Sequence, residues 1–555
     1  MRLKNIQYKL TLSILLVSAA SFAQEKPEEK KTDKPTGALT EEIVVERPYK
    51  PVLADAAKIR RSPDLNSTKA MKSKLKYSVL DKKLELNSDI RQLQAQPLSL
   101  QIDRPLTHSY AKLGFGNFST GLAELYLNTG PDEALQAGAF FKHFNQEGNL
   151  SKQQFSRQEI GIFGKSVLDK ITLNGELGFD RNSTYFYGTM RDSIRPINAN
   201  PEKQKYGTVS LRGELIKNYG ENETSDYALK ADGYLLSDKF NAKETSLALS
   251  GFYNKVWKQF NIGLNTSADF TQTKDSVSIG NHIFRANPYI KLQGPTYKLS
   301  IGVNLVQEFG DASRFNLFPA VTAEVPIVPE FATVFGGFTG NVNKSTIREL
   351  SNLNPYLNSN LAISNAVEKT YAYGGIKGNA GAGFGYKAML FYKKLESMPL
   401  FRNDITRPER FNVIYDDAKV TGLEGEISVK ISEQLSWLGR LNINNYNMDT
   451  QEEAWFQPDF RLFSNARFTI NKKITIDGEI VVNDKTSALI YSGSQTPEIV
   501  KLKSYVDFSA GAEYLYKEKV GIFLRVNNIF GNKYERYLYY PKVGLNVIGG
   551  LNYSF

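Results

Sequence analysis

Side chains able to do chemistry are scarce in this chain. Its 555 residues include three histidines, His108, His143 and His282, and no cysteine. No two histidines stand at a metal-ligand spacing, and without thiolates a disulfide framework or a cysteine-based metal site is unavailable. A hydrolytic site assembled from distant strands is conceivable, but each histidine reads more simply as a lumen or interface side chain. Neither enzyme activity nor a metal or other cofactor is therefore expected. The glycine clusters Gly336-Gly337, Gly374-Gly375 and 378–385 have no helix after them, so close strand packing explains them better than a phosphate cradle. What is left is a set of isolated charges in alternating segments: Asp269, Asp477, Glu479, Glu513, Arg440 and Arg525, with Glu176, Asp180 and Arg212. Facing hydrocarbon each would be costly, whereas lining a polar lumen they are ordinary.

Those charges sit on a repeated period of two. Ile171, Leu173, Gly175, Leu177 and Phe179 alternate with polar residues, as do Phe260, Ile262, Leu264, Ala268 and Phe270, and Ile474, Ile476, Gly478, Ile480 and Val482. The last stretch, 543–555, does the same, with Val543, Leu545, Val547, Gly549, Leu551 and Tyr553 on one face. Alternation hides the apolar half in any average, so a mean hydropathy of −0.37 does not exclude a membrane protein. The pattern predicts an all-β, transmembrane antiparallel barrel of the outer-membrane type, about 22 strands over residues 105–555. Tight turns are expected near 169–170, 258–259, 294–295, 433–434, 471–472 and 517–518, and long connections at 182–203, 343–368, 396–409, 449–457 and 484–501. Trp257 and Trp437 fall beside tight turns and Phe555 ends the chain, which suits interface anchors.

Ahead of the barrel, Arg2, Lys4 and Lys9 precede an apolar run ending Ser21-Phe22-Ala23, which reads as a cleaved signal peptide over 1–23. Residues 24–104 are expected to be a flexible periplasmic or lumenal segment. Within it Glu42, Ile43, Val44 and Val45 form a short β-prone run suited to adding a strand to a partner's sheet. The formal charge of +11 is spread rather than clustered, so nucleic acid is not an expected partner. Outer-membrane lipid and the barrel assembly machinery of a Gram-negative bacterium are.

Residues 526–535 (VNNIFGNKYE) and the terminal 550–555 (GLNYSF) resemble the end of a TonB-dependent receptor barrel, and 350–356 (LSNLNPY) and 422–426 (GLEGE) are similar to recurring segments of that family. The resemblance covers about 105–555 and implies solute binding or uptake across the outer membrane. It makes Glu42-Ile43-Val44-Val45 similar to a TonB box, with TonB or another periplasmic protein as partner. Only about sixty residues separate Val45 from Pro105, near the lower limit for a domain with its own core, so the family's plug is expected to be absent or much reduced. A non-transporting scaffold within an outer-membrane complex and a passive diffusion channel are the alternatives. An open bore of this size would breach the membrane, so either the long connections or residues 47–104 must fill it; the tethered N-terminal segment is favoured. The loop residues Tyr185, Phe186, Tyr187, Arg191, Arg195, Phe401, Arg402, Arg407, Arg410, Trp455 and Tyr491 suit either a ligand surface or loop packing.

Overall fold

The computed structural model describes residues 109–130, 134–190, 197–218, 224–258, 260–294, 296–329, 331–379, 383–430, 434–491, 497–517 and 519–555. The expected signal peptide, the 24–104 segment with Glu42–Val45, His108, Arg191 and Arg195 lie outside them.

Twenty-two antiparallel strands form one sheet closed on itself. The first, β1 (Tyr110–Gly116), pairs with β2 (Thr120–Asn128) on one side and with the last, β26 (Asn546–Ser554), on the other. Every other pair joins strands consecutive along the barrel. Two short hairpins, β20 (Thr486–Tyr491) with β21 (Pro497–Leu502) and β24 (Glu535–Tyr537) with β25 (Tyr540–Pro541), stand apart from it. The expected strand number holds. Val543–Leu545, expected inside the last strand, precede β26 instead, because Asn528 Nδ2 donates to the Val543 carbonyl and holds this stretch in the connection.

Alternation decides the two faces. On β5 (Ile171–Tyr185) Leu173, Leu177 and Phe179 are exposed while Thr172 and Ser183 are buried; on β19 (Ile474–Asn483) Ile474 and Ile476 are exposed while Asp477 and Glu479 are buried. The outer surface is thus a band of exposed Leu, Ile, Val and Phe, the inverse of a soluble protein and the right solution when the solvent is lipid. Among the described residues no helix is long and apolar enough to cross a membrane. The glycine clusters belong to the wall: Gly336 pairs with Gly374 across β13 (Ala332–Asn343) and β14 (Ala366–Asn379), and a Cβ on Gly375 would lie 2.1 Å from the Ala388 carbonyl oxygen.

The ends differ. Chain termini of the barrel meet at one of them, where Ser109 and Phe555 exchange backbone hydrogen bonds of 3.1 and 2.9 Å. The strands that flank all six expected tight turns come together at that end. The turn after β18 (Phe460–Ile470) shows why: Asn471 and Lys472 take φ of 50° and 56°, and Lys473 N–H closes onto the Ile470 carbonyl at 3.0 Å, the type I′ geometry that matches strand twist. At the opposite end, long connections follow β5, β13, β19, β17 (Leu435–Met448) and β23 (Val520–Asn527). One expectation fails there. Residues 396–409 are not a long connection, since β15 (Phe384–Asn403) and β16 (Phe411–Lys430) continue as a paired hairpin and leave only 404–410 between them. Apolar Met398, Leu400, Phe401, Phe411 and Val413 give this projection its own buried face.

Candidate functional site

The long connections do not splay outward; they share a hydrophobic core. Tyr187, Leu350, Leu357, Met398, Leu400, Phe411, Trp455, Phe456, Leu502, Leu538 and Tyr540 are all buried in one cluster, drawn from five connections and the β15–β16 projection. A cap is thereby built over the end opposite the termini. Its one helix among the described residues, α1 (Ile347–Leu353), is seated on the wall: Ile347 and Arg348 N–H donate to the two carboxylate oxygens of Glu244 at 2.7 and 3.1 Å, while Thr346 Oγ1 accepts from Glu349 N–H. Glu244 thus satisfies amides that the first helical turn leaves open.

Aromatic stacking forms the cap's underside. Tyr356 and Tyr540 stack with centroids 3.5 Å apart, and Tyr187 meets Tyr540 edge-on at 5.0 Å. Burial pushes the Tyr187 and Tyr540 phenols well above their ordinary value, and that of Tyr356 to about 12, so none carries charge at neutral pH. Arg410, almost fully buried, lies 4.2 Å over the Phe186 ring and is paired with Glu202. Of the loop aromatics and cations singled out above, Phe186, Phe401, Arg410 and Trp455 are therefore packing residues.

Asp404, at the tip of the projection, fastens it to the 344–365 connection. It accepts from Thr406 and Arg407 N–H at 2.9 Å, from Asn412 Nδ2 at 2.8 Å and from Asn358 Nδ2 at 3.0 Å. Burial pushes its carboxyl up, but these donors outweigh it and hold the group below the usual carboxylate range.

Beneath the cap, against the wall on either side of the β1–β26 seam, lies a chamber of about 670 Å³. Tyr187, Tyr356 and Tyr540 form its roof; Lys112, Glu124, Lys142, Arg157, Glu159, Glu479, Asp507 and Arg525 stand in its walls. Most of these charges are answered within the wall, Glu159 by Arg157 at 2.6 Å and Lys142 at 3.4 Å. Of the anticipated lumen charges, Asp477 takes Arg525 Nη1 at 2.9 Å, Glu513 accepts from Asn552 Nδ2 at 2.8 Å, and Arg440 Nε reaches Glu426 at 3.1 Å. Asp269 meets Lys344 Nζ at 2.5 Å, from the connection that carries α1. Trp257, Trp437 and Phe555 are outward, exposed and at the termini end, with Trp437 Nε1 donating to Ser464 Oγ at 2.8 Å. His143 contacts Asn145, and His282 accepts from Thr271 N–H between Phe270 and Phe309. Among the described residues no group of His, Asp and Glu is arranged to hold a metal ion. The sequence leaves loop packing and inward-folding connections as alternatives and does not show the chamber, because the loops that build the cap carry apolar residues at no fixed period.

Neither a family model nor a curated protein sequence matches the chain. Solved structures do. Pseudomonas aeruginosa FpvA, bound to heterologous pyoverdines, superposes with a TM-score of 0.63 at 14% identity, covering 81% of this chain and 71% of FpvA. The FrpB iron transporter of Neisseria meningitidis gives 0.63 at 11% identity, over 81% of each chain. The ferric-catecholate import receptor Fiu of Escherichia coli K12 gives 0.61 at 10%, over 81% of this chain and 82% of Fiu. At these identities the likeness is one of fold alone, carried in this chain by its closed 22-stranded barrel.

Proposed function

We propose that this barrel is an outer-membrane receptor of the TonB-dependent kind, which binds a solute and takes part in its uptake. The observation that carries the reading is the capped lumen with a polar, aromatic-roofed chamber below it, a closed vestibule rather than an open bore. The shared fold of FpvA, FrpB and Fiu, named as receptors or a transporter, supports it. In this reading residues 1–23 direct export, the termini end faces the periplasm, and Glu42-Ile43-Val44-Val45 is the strand offered to TonB. The scaffold alternative draws on one observation, the dryness of the cap core, where Leu400 and Phe411 are wholly buried, as in a barrel that stays shut.

Paired measurements separate the readings. In planar bilayers the full chain is expected to show no steady open level; a constant conductance would make it a diffusion channel. In cells grown with single limiting solutes, Val44→Pro, which removes a donor from the offered strand, is expected to abolish whatever growth advantage the wild type confers. A wild type with no advantage on any solute would leave the scaffold.

A further inference from the structure

Charge is segregated across one part of the barrel wall near the cap. There β6 (Lys203–Lys217), β7 (Ser225–Asp238), β8 (Lys243–Trp257) and β9 (Phe260–Lys274) follow β5 around the wall. At their cap ends the acidic side chains point inward and are engaged: Glu244 takes two amides of α1, Asp238 accepts from Gln204 Nε2 at 3.2 Å, and Glu202 pairs with Arg410. The cations alternate with them and point outward. Backbone register sets Arg181, Gly207, Ser237, Lys243 and Lys274 on one rung across the five strands. Tyr206 pairs with Asp238, so Lys205 and Lys239, next along each strand, flank that rung on its cap side. The rungs on its other side are lipid-facing: Phe179, Val209 and Leu235 are exposed on the first, and Leu177, Leu211, Leu247 and Phe270 on the second. Among the described residues none of the five cationic side chains meets a carboxylate. Lys243 stands directly opposite Lys274, and like charges so placed across an antiparallel pair repel. A second opposed pair, Lys394 and Lys419 on β15 and β16, has instead the exposed Asp417 two residues along the same face.

We propose that this patch of the outer wall binds the phosphorylated headgroup of an outer-leaflet lipid, whose acyl chains lie on the leucine and phenylalanine rungs beside it. Phosphate oxygens supply the counter-charge that the wall withholds, through charge-assisted hydrogen bonds from guanidinium and ammonium groups. Cations set at the headgroup plane draw anionic lipid in the same way that juxtamembrane basic clusters do. Three strand spacings, about 14 Å, separate Arg181 from Lys243, over a floor made of the small residues Gly207 and Ser237. Cations at both sides of such a floor suit a headgroup that carries more than one phosphate. The uptake reading enters only in naming the leaflet, since it puts the capped end outside the cell.

The test uses the full chain in detergent and counts bound lipid by native mass spectrometry. The probes are a bisphosphorylated lipid A, the same lipid stripped of its phosphates, and inorganic phosphate. Lys243→Gln with Lys274→Gln removes the opposed pair of the patch; Lys394→Gln with Lys419→Gln removes the same charge from the pair that Asp417 answers. Retention of the bisphosphorylated lipid is expected to fall at least tenfold in the first double variant and to hold at the wild-type level in the second, with the stripped lipid weakly held by all three proteins. Equal retention by the two double variants, or of the stripped and phosphorylated lipids by the wild type, would overturn the proposal. So would displacement of the lipid by an equal concentration of inorganic phosphate, which would give the cations to a free anion. None of these outcomes depends on transport or on sidedness, so the site can fail while the uptake reading holds, and the reverse.

Discussion

Asp404 shows how one side chain governs the cap. Five donors, four from the projection and one from the 344–365 connection, converge on it, so protonating it or replacing it loosens the projection from that connection. Its folded pKa lies below the unfolded value of about 3.9, so the stabilisation is present above that value and is lost as pH falls through the lower, folded one. In a Trp257→Phe, Trp437→Phe background, acrylamide quenching of Trp455 should stay low at neutral pH and rise below about pH 4. Asp404→Asn should cost the cap about 1.5 to 3 kcal/mol, as hydrogen bonds to a charged group do, and raise quenching at neutral pH while weakening the acid transition. A Trp455 equally shielded in both proteins at all pH values would show that this carboxylate does not hold the cap.

At the scale of strands, the sequence was most readable where lipid imposes a rule. Leu551 points outward and Asn552 inward to Glu513, as the alternation of 543–555 requires. Leu551→Arg is expected to lose about 2 to 4 kcal/mol and most folded barrel, whereas Asn552→Arg brings its guanidinium to a lumenal carboxylate and should assemble. Equal yields on heat-modifiability gels would place the strand in the wrong register. The anticipated charges were legible for the same reason: a lone Asp477 or Arg525 in an alternating strand has only the lumen to face. Their partners were not, since Arg525 comes from β23 and Lys344 from a connection, and pairings across strands depend on a register that a single segment does not state. Least legible was the β15–β16 projection, whose polar tip reads as loop while its backbone remains paired.

Taken whole, the barrel has one end of tight turns and one of packed connections, and the uptake reading puts the first in the periplasm. The chain has no cysteine, so a single introduced one reports its side. A membrane-impermeant maleimide should label Val277→Cys on intact cells and leave Lys472→Cys untouched until the outer membrane is opened; the reverse pattern would invert the molecule. The β1–β26 seam carries a further consequence. All other neighbours in the barrel wall are close along the chain, so the wall can grow by adding one strand at a time to the last. Only the seam joins residues some 430 positions apart, over seven register pairs, with Gly550 so near β1 that a Cβ would lie 2.0 Å from the Leu113 carbonyl oxygen. That pairing forms only when the sheet closes on itself. Until then β1 and β26 are two unsatisfied edges in hydrocarbon, and whatever inserts this barrel must shield both of them until they meet.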